Sequence, residues 1–366
     1  MLTARKTFLL VLGFADFEDV EYSGGDCLRR VVIELVQMVE RSSKLVSVLQ
    51  AFGRLTLPVL LPSLCVLQTV TAEEIFLAPN QSIQVAIDSA SDGDVIVLQA
   101  GTYRGDLGFG GKNVTVRGVG SRTKLRGTGT GPVVSFNSGE GRDAVLDSVR
   151  VVGGRAEQGA GVYISGASPT IVRSVIFKNR AVESGSGIYV GANSSPLIAN
   201  NVISRNRRTN NSGDPHAIQV EDGTPDIYNN TIIRNDSNGI FLTGSAAADI
   251  RNNIIAFNGH RRLNRGRGIC DFSSASSTIQ YNIFFRNIIG ALLLGRDFDR
   301  ISNAERTLNL SRIADNLDAN PRVRSVVQGR LRRRSAAVNR GDPADSYLDS
   351  DGSRNDIGAT GGPFAR

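Results

Sequence analysis

The sequence predicts an all-β fold, a parallel β-helix (solenoid) with a short N-terminal capping helix, and three observations carry that expectation. A nine-residue pattern recurs five times, as 171–179, 198–206, 227–235, 250–258 and 279–287. Each copy opens with Ile, has Ile or Phe at its sixth position, and closes on Asn. The fourth position holds Ser174, Asn201, Asn230, Asn253 and Asn282 in turn. A second motif keeps the same beat, in Gly161-Val-Tyr-Ile, Gly187-Ile-Tyr-Val, Ala217-Ile-Gln-Val, Gly239-Ile-Phe-Leu and Gly268-Ile-Cys-Asp. The intervals between copies, 27, 29, 23 and 29 residues, vary while the short units do not. Constant strands joined by unequal loops are the pattern of a solenoid.

β-branched runs broken by Gly and Asn argue against leucine-rich or helical repeats. Stacked units would pair in parallel at ~4.8 Å per coil, turning each Ile column into a continuous core. An inward Asn at a turn would bury amide groups, and stacking Asn on Asn would satisfy them along the axis.

Taken from the start, residues 1–72 do not belong to the solenoid. The run 55–72 is apolar, follows Arg41, Lys44 and Arg54, and ends in Val-Thr-Ala72, the charge, core and small-residue exit of a secretory signal. Prolines and short length make it a poor membrane span. Asp16, Glu18, Asp19 and Glu21 stand where a signal should be basic, which points to a translation start at Met38 or to a genuine N-terminal extension. The expected domain is 73–363, with its clearest repeats in 159–290.

Composition fits this reading. Gly makes up 40 of 366 residues and Trp is absent, which suits a turn-rich repeat. Of the three cysteines, Cys27 and Cys65 precede the expected cleavage site, so Cys270 would remain as a free thiol. The seven basic and seven acidic residues of 1–72 cancel, so the mature chain keeps the net charge of +7. A basic exported protein fits acidic polysaccharide or another anionic glycan, and no nucleic-acid motif is present.

From Glu73 a strand over 74–78 leads to Ser82, which can cap a helix running to about Ala90 and covering the open end of the core. The stretches 95–98, 113–119, 133–136 and 145–152 read as early coils. After Asn287 the pattern fades, with one further strand expected over 288–295 and a polar, irregular stretch over 297–316. The basic run Arg322–Arg334 reads either as a charged edge that prevents end-to-end stacking or as a polyanion contact.

Residues 82–103, a helix followed by a Gly-Asp turn and a first strand, resemble the opening of the pectin-lyase-like right-handed parallel β-helix superfamily. The segments 316–321 and 349–363 resemble the closing part of secreted bacterial members, so the resemblance covers roughly 75–363 and 316–363 forms the closing segment. It implies the right-handed sense of the coil. The architecture hosts many chemistries, so function must be read from a site.

Loop lengths point to one. The link from Asn235 to Gly239 is minimal, whereas the equivalent links carry the inserts 207–216 and 259–267. Both inserts leave the same corner two coils apart and should flank a notch. They hold both histidines of the chain, His216 and His260, with Arg207, Arg208, Arg261, Arg262, Arg265 and Arg267. Abstracting the C5 proton of a uronate needs a base and cations on its carboxylate. Asp214-Pro-His216 also resembles the Asp-Pro-His core of mannuronan C5-epimerases, where the His takes part in proton transfer, although Ala217 replaces the acidic residue that usually follows. A surface loop with an incidental His explains the same three residues.

Strand alternation places Tyr163, Tyr189, Gln219, Phe241 and Cys270 in one outward column, which can stack on sugar rings or pack beneath the inserted loops. Asp349, Asp351 and Asp356 lie in an oxygen-rich, Gly-turned segment that suits calcium or an Asp-capped turn, and relatives of pectate lyases commonly use calcium. Glu221 and Asp222 read as a turn rather than a hydrolase pair. The expectation is a secreted, monomeric β-helix protein that binds acidic polysaccharide. Either it acts on the polymer as a lyase or C5-epimerase, with His216 moving the proton beside Asp214 and His260, or it is a non-catalytic binder or adhesin. Arg207, Arg208, Arg261, Arg262, Arg265, Tyr189, Gln219 and Phe241 are the expected sugar contacts.

Overall fold

The structure, a computed structural model, describes residues 72–209, 213–294, 299–301, 312–325 and 328–365. The expected signal with its Met38 start, Cys27 and Cys65 lies outside the described residues.

The chain winds as a right-handed parallel β-solenoid whose three long sheets run along its axis. The first has ten strands, from Glu74–Leu77 to Ile313–Ala314, and the second nine, from Gly101–Arg104 to Leu317–Asp318. The third has nine, from Leu107–Gly108 to Asp299–Ile301. Pairing within these sheets is parallel except at the last step, where Gly290–Leu294 meets Asp299–Ile301 antiparallel.

The repeat maps onto this architecture position by position. The opening Ile column pairs in the first sheet in the order Ile171, Ile198, Ile227, Ile250, Ile279 and Ile313. The sixth-position column, Ile176, Ile203, Ile232, Ile255 and Phe284, pairs in the second. Val162, Ile188, Ile218, Ile240, Ile269 and Leu292 pair in the third. All three columns are buried and belong to one core. The column leading into the third sheet is Gly at 161, 187, 239 and 268 and Ala at 217; a Cβ at Gly161 would stand 2.4 Å from Gly187 O and 2.8 Å from Ile176 Cγ2.

Two Asn ladders close the turns on either side of the second sheet. In one, the backbone N–H groups of Ser174, Asn201, Asn230, Asn253 and Asn282 each donate to the Oδ1 of the next coil, ending at Asn316, at 2.8–3.0 Å. In the other, the N–H groups of Asn179, Asn206, Asn235 and Asn258 do the same toward Asn287 at 3.0–3.1 Å. The side-chain amides donate back to the preceding coil, as Asn230 Nδ2 does to Ile198 O at 2.7 Å, so buried amides are satisfied on both sides.

Helix α1 (Ile83–Ser89) caps the N-terminal end, with Ser82 Oγ accepting from Val85 N–H at 3.3 Å and Ile83, Ala86 and Ile87 entering the core. Two differences from the sequence reading stand out. The end of the polar stretch, around Asn316, forms another coil, Ile313–Ala314 and Leu317–Asp318, which continues both the Ile column and the first Asn ladder. The basic run Arg322–Arg334 is not a solenoid edge: Val323 and Leu331 bridge antiparallel and pack, with Ala337 and Ile357, over Ile254 and Ile283 on the outer face of the second sheet. The described residues of 321–365 thus form a strap, because the outward positions of the later second-sheet strands are themselves apolar and need cover.

Candidate functional site

The two inserts emerge where the second sheet turns into the third. There a short fourth sheet, Arg155–Gln158, Arg180–Ser184 and Arg207–Arg208, pairs in parallel outside the main core. Asn210, Asn211 and Ser212 of the first insert lie outside the described residues. Arg265 joins the inserts: its guanidinium donates to Gly213 O at 3.1 Å and lies 3.5 Å from the Asp214 carboxylate. Its carbonyl meanwhile accepts from His260 N–H at 2.9 Å. The inserts therefore meet above the short link, and the expected notch is bridged.

His216 lies beneath that bridge, 4% exposed, its ring against Phe241 with centroids 4.1 Å apart. The short link supplies the polar partners. Asn238 Oδ1 accepts from Arg267 N–H at 2.7 Å, which turns its amide Nδ2 toward His216 Nδ1 at 3.1 Å. Nδ1 is then an acceptor and the neutral ring carries its proton on Nε2, an assignment made from the network. Ser237 Oγ lies 3.0 Å from the same Nδ1 and donates to Asp214 at 2.5 Å. Burial lowers the imidazole pKa to about 4, with Asp214 opposing and Arg265 adding to the shift. At neutral pH His216 is uncharged, its Nδ1 lone pair already occupied.

The other expected residues spread around this point. His260 Nδ1 is buried without a partner among the described residues, and the two imidazoles share no hydrogen bond there. Arg207 is exposed, Arg208 half-buried, and Arg261 and Arg262 stand exposed on a one-turn 3-10 helix. The outward column exists in register, from Tyr163 and Tyr189 through Gln219 and Phe241 to Cys270. It is largely covered: Tyr189, Gln219 and Cys270 are buried, and Phe241 is half-buried between His216 and Phe272. Tyr163 and Tyr189 stack at 5.4 Å, and the Tyr189 hydroxyl donates to Glu221 at 2.9 Å, so burial and that carboxylate raise its pKa. Burial likewise pushes the Cys270 thiol up to about 12, an inert packing group.

The calcium expectation meets a different use of the same carboxylates. Asp349 accepts from Asp356 N–H at 3.1 Å and from Gly362 N–H, Asp351 from Ser353 N–H at 2.9 Å, and Asp356 from Asn339 N–H at 2.7 Å. They cap turns of the strap, and no cluster of three metal-ligating side chains forms among the described residues. Asp222, likewise, accepts from Ser245 N–H at 2.7 Å as part of a turn.

Ser237 and Asn238, which contact His216, and Phe272, which packs on Phe241, do not stand out in the sequence. A buried polar pair in the shortest link, before the constricted Gly239, was the available signal for the first two.

Residues 128–307 match a family described as "Right handed beta helix region". Among solved structures, the pectate lyase Pel9A is similar over 81% of this chain and 97% of its own, at 16% identity and a TM-score of 0.48. A mannuronic acid-specific family 6 polysaccharide lyase from human gut microbiota is similar over 61% and 66%, at 13% identity and a TM-score of 0.28. No curated protein sequence matches the chain.

Proposed function

We propose that this chain, a right-handed parallel β-solenoid whose residues 128–307 match the right-handed β-helix family, is an exported protein that binds acidic, uronate-type polysaccharide where its inserted loops emerge. The observation that carries this reading is the concentration of unpaired cations there. Arg207, Arg208, Arg261 and Arg262 make no ion pair among the described residues, while Arg265 ties the two loops together. Guanidinium forks suit carboxylates in a repeating polymer. Binding of polygalacturonate and alginate by titration calorimetry, with Arg261→Gln/Arg262→Gln as the comparison, tests it. Saturable binding weakened by that pair supports the reading, and no binding to any anionic glycan sinks it. Export with cleavage near Ala72 is part of the proposal, and N-terminal sequencing of protein from the culture medium checks it. A monomer is expected, to be read by light scattering.

Lyase or C5-epimerase chemistry is the second reading. Its support is an imidazole kept neutral at working pH beside an Asp214–Ser237 pair, as a C5 base requires. Against it stands the Nδ1 lone pair turned inward and the burial of the ring, so proton abstraction would require the loops to part. Absorbance near 235 nm on polyuronates, and proton exchange at C5, decide between the two. A signal abolished by His216→Ala establishes chemistry, and its absence leaves binding.

A further inference from the structure

Five coils leave the second sheet through a buried ladder Asn, and the residue before that Asn is forced into the left-handed region. These residues are Lys178 (φ 55°), Arg205 (54°), Arg234 (58°), Phe257 (55°) and Arg286 (49°). Gly and Asn are the residues such a backbone prefers, and four of the five positions are cations instead. One residue beyond the Asn, Arg180 and Arg207 align in register with Arg155, which follows Gly154 on the preceding coil, and all three are exposed.

The result is a double row on neighbouring coils: Arg155, Lys178, Arg180, Arg205, Arg207 and Arg234. None forms an ion pair among the described residues, although Glu157, Glu183 and Asp236 lie nearby in the chain. An aromatic ring takes the place of a carboxylate: Arg150, Lys178 and Arg205 stand 4.5, 5.2 and 5.9 Å from the Phe177 ring centroid. Cation–π contact holds the side chains without neutralising them. Like charges this close oppose folding unless a ligand answers them.

We propose that this double row is the main anchoring track for the polysaccharide, running along the solenoid axis and selecting polymers that carry an anionic group on every sugar. The inference rests on the acidic-polysaccharide reading above and adds its direction and charge period. Cations recur once per coil, at ~4.8 Å, a step comparable to the length of one pyranose unit. A polymer charged on alternate sugars would leave every second cation unanswered.

The test measures Kd for polygalacturonate, hyaluronan (one carboxylate per disaccharide) and single-stranded DNA at fixed ionic strength. Wild type is compared with Lys178→Gln/Arg180→Gln/Arg205→Gln and with Arg261→Gln/Arg262→Gln, each checked for folding by circular dichroism. The expected result is that the triple variant loses about tenfold or more on polygalacturonate, that its affinity depends less on salt, and that hyaluronan binds wild type about tenfold more weakly. If wild type binds polygalacturonate and only the Arg261/Arg262 pair weakens it, the track is overturned while the binding reading stands. Equal affinity for hyaluronan at matched charge overturns the period. DNA bound more tightly than polygalacturonate overturns the polysaccharide occupant. No glycan binding by wild type removes both proposals.

Discussion

Two corners of the coil share one backbone conformation and have opposite fates. At the third position of each repeat Arg173, Asn200, Asn229, Asn252 and Tyr281 adopt positive φ, and at the eighth Lys178, Arg205, Arg234, Phe257 and Arg286 do the same. Each residue precedes a ladder position, so the tight turn between short strands imposes the left-handed conformation at both corners. At three of its five positions the third-position corner takes Asn, the residue this conformation favours, and spends it on the strap. Asn200 Nδ2 donates to Gly361 O at 2.6 Å, Asn229 Nδ2 to Asn355 at 2.8 Å, and Asn252 Oδ1 accepts from Asp342 N–H at 2.8 Å. The eighth-position corner carries cations at four of its five positions, among them the exposed Lys178 and Arg234, which gain nothing from the turn conformation itself. Where stability governs the choice, Asn appears and is covered; where it does not, charge persists at a local cost of about 1 kcal/mol per residue.

The largest expected effect separates each corner residue from its buried neighbour. Asn230 accepts from Asn201 N–H at 3.0 Å and donates to Ile198 O at 2.7 Å and to Asn253 Oδ1 at 3.1 Å. Asn230→Leu strands these buried groups and should lower stability by about 3 kcal/mol or more in urea unfolding. Asn229→Ala, one residue away, should cost about 1–2 kcal/mol, because only the strap contact and the turn preference are lost. Equal effects at the two sites would erase the distinction between ladder and corner.

Truncating the strap from its own side comes next. Ile357 is fully buried against the outer face of the second sheet, and Ile357→Ala should cost about 2–4 kcal/mol while leaving anionic-glycan binding unchanged. A large loss of binding would mean that strap and cationic corner act together.

The loops that leave the cationic corner supply a pH signature. His216 has a folded pKa near 4, below its ordinary value of 6.5, so the unfolded chain binds its proton first as pH falls. The contribution of the neutral ring is complete above about pH 6.5 and is lost progressively toward pH 4, by on the order of 3 kcal/mol. Urea midpoints at pH 7 and 5 should therefore differ more in wild type than in His216→Gln. A pH dependence identical in both proteins would place the ring in solvent.

The smallest effect is also the sharpest. Arg234→Asn should stabilise the fold by a few tenths to about 1 kcal/mol, since Asn tolerates the left-handed turn better, while weakening polymer binding. The reverse substitution, Asn229→Arg, should destabilise without adding affinity. Thermal melts and titrations of the pair read both quantities.

The sequence by itself determined the coil. Its Ile and Asn columns are local, each unit pairs only with its neighbours, and register follows once the columns are aligned, so the positions of Asn201, Asn230, Asn253 and Asn282 were enough to place the turns. The clustering of the two inserts was legible for the same reason, from equal exits and unequal lengths. The sixth coil at Ile313 escaped notice because a long interruption hides its beat. Only the tertiary structure decided what covers what. The strap reaches across 126 residues to bring Asn355 to Asn229, and Asp349, Asp351 and Asp356 cap its turns. The inserts close through Arg265 over His216 and Phe241, turning an outward column inward. Such contacts join segments with no shared period, and their energy lies in surfaces that exist only after the coils have stacked.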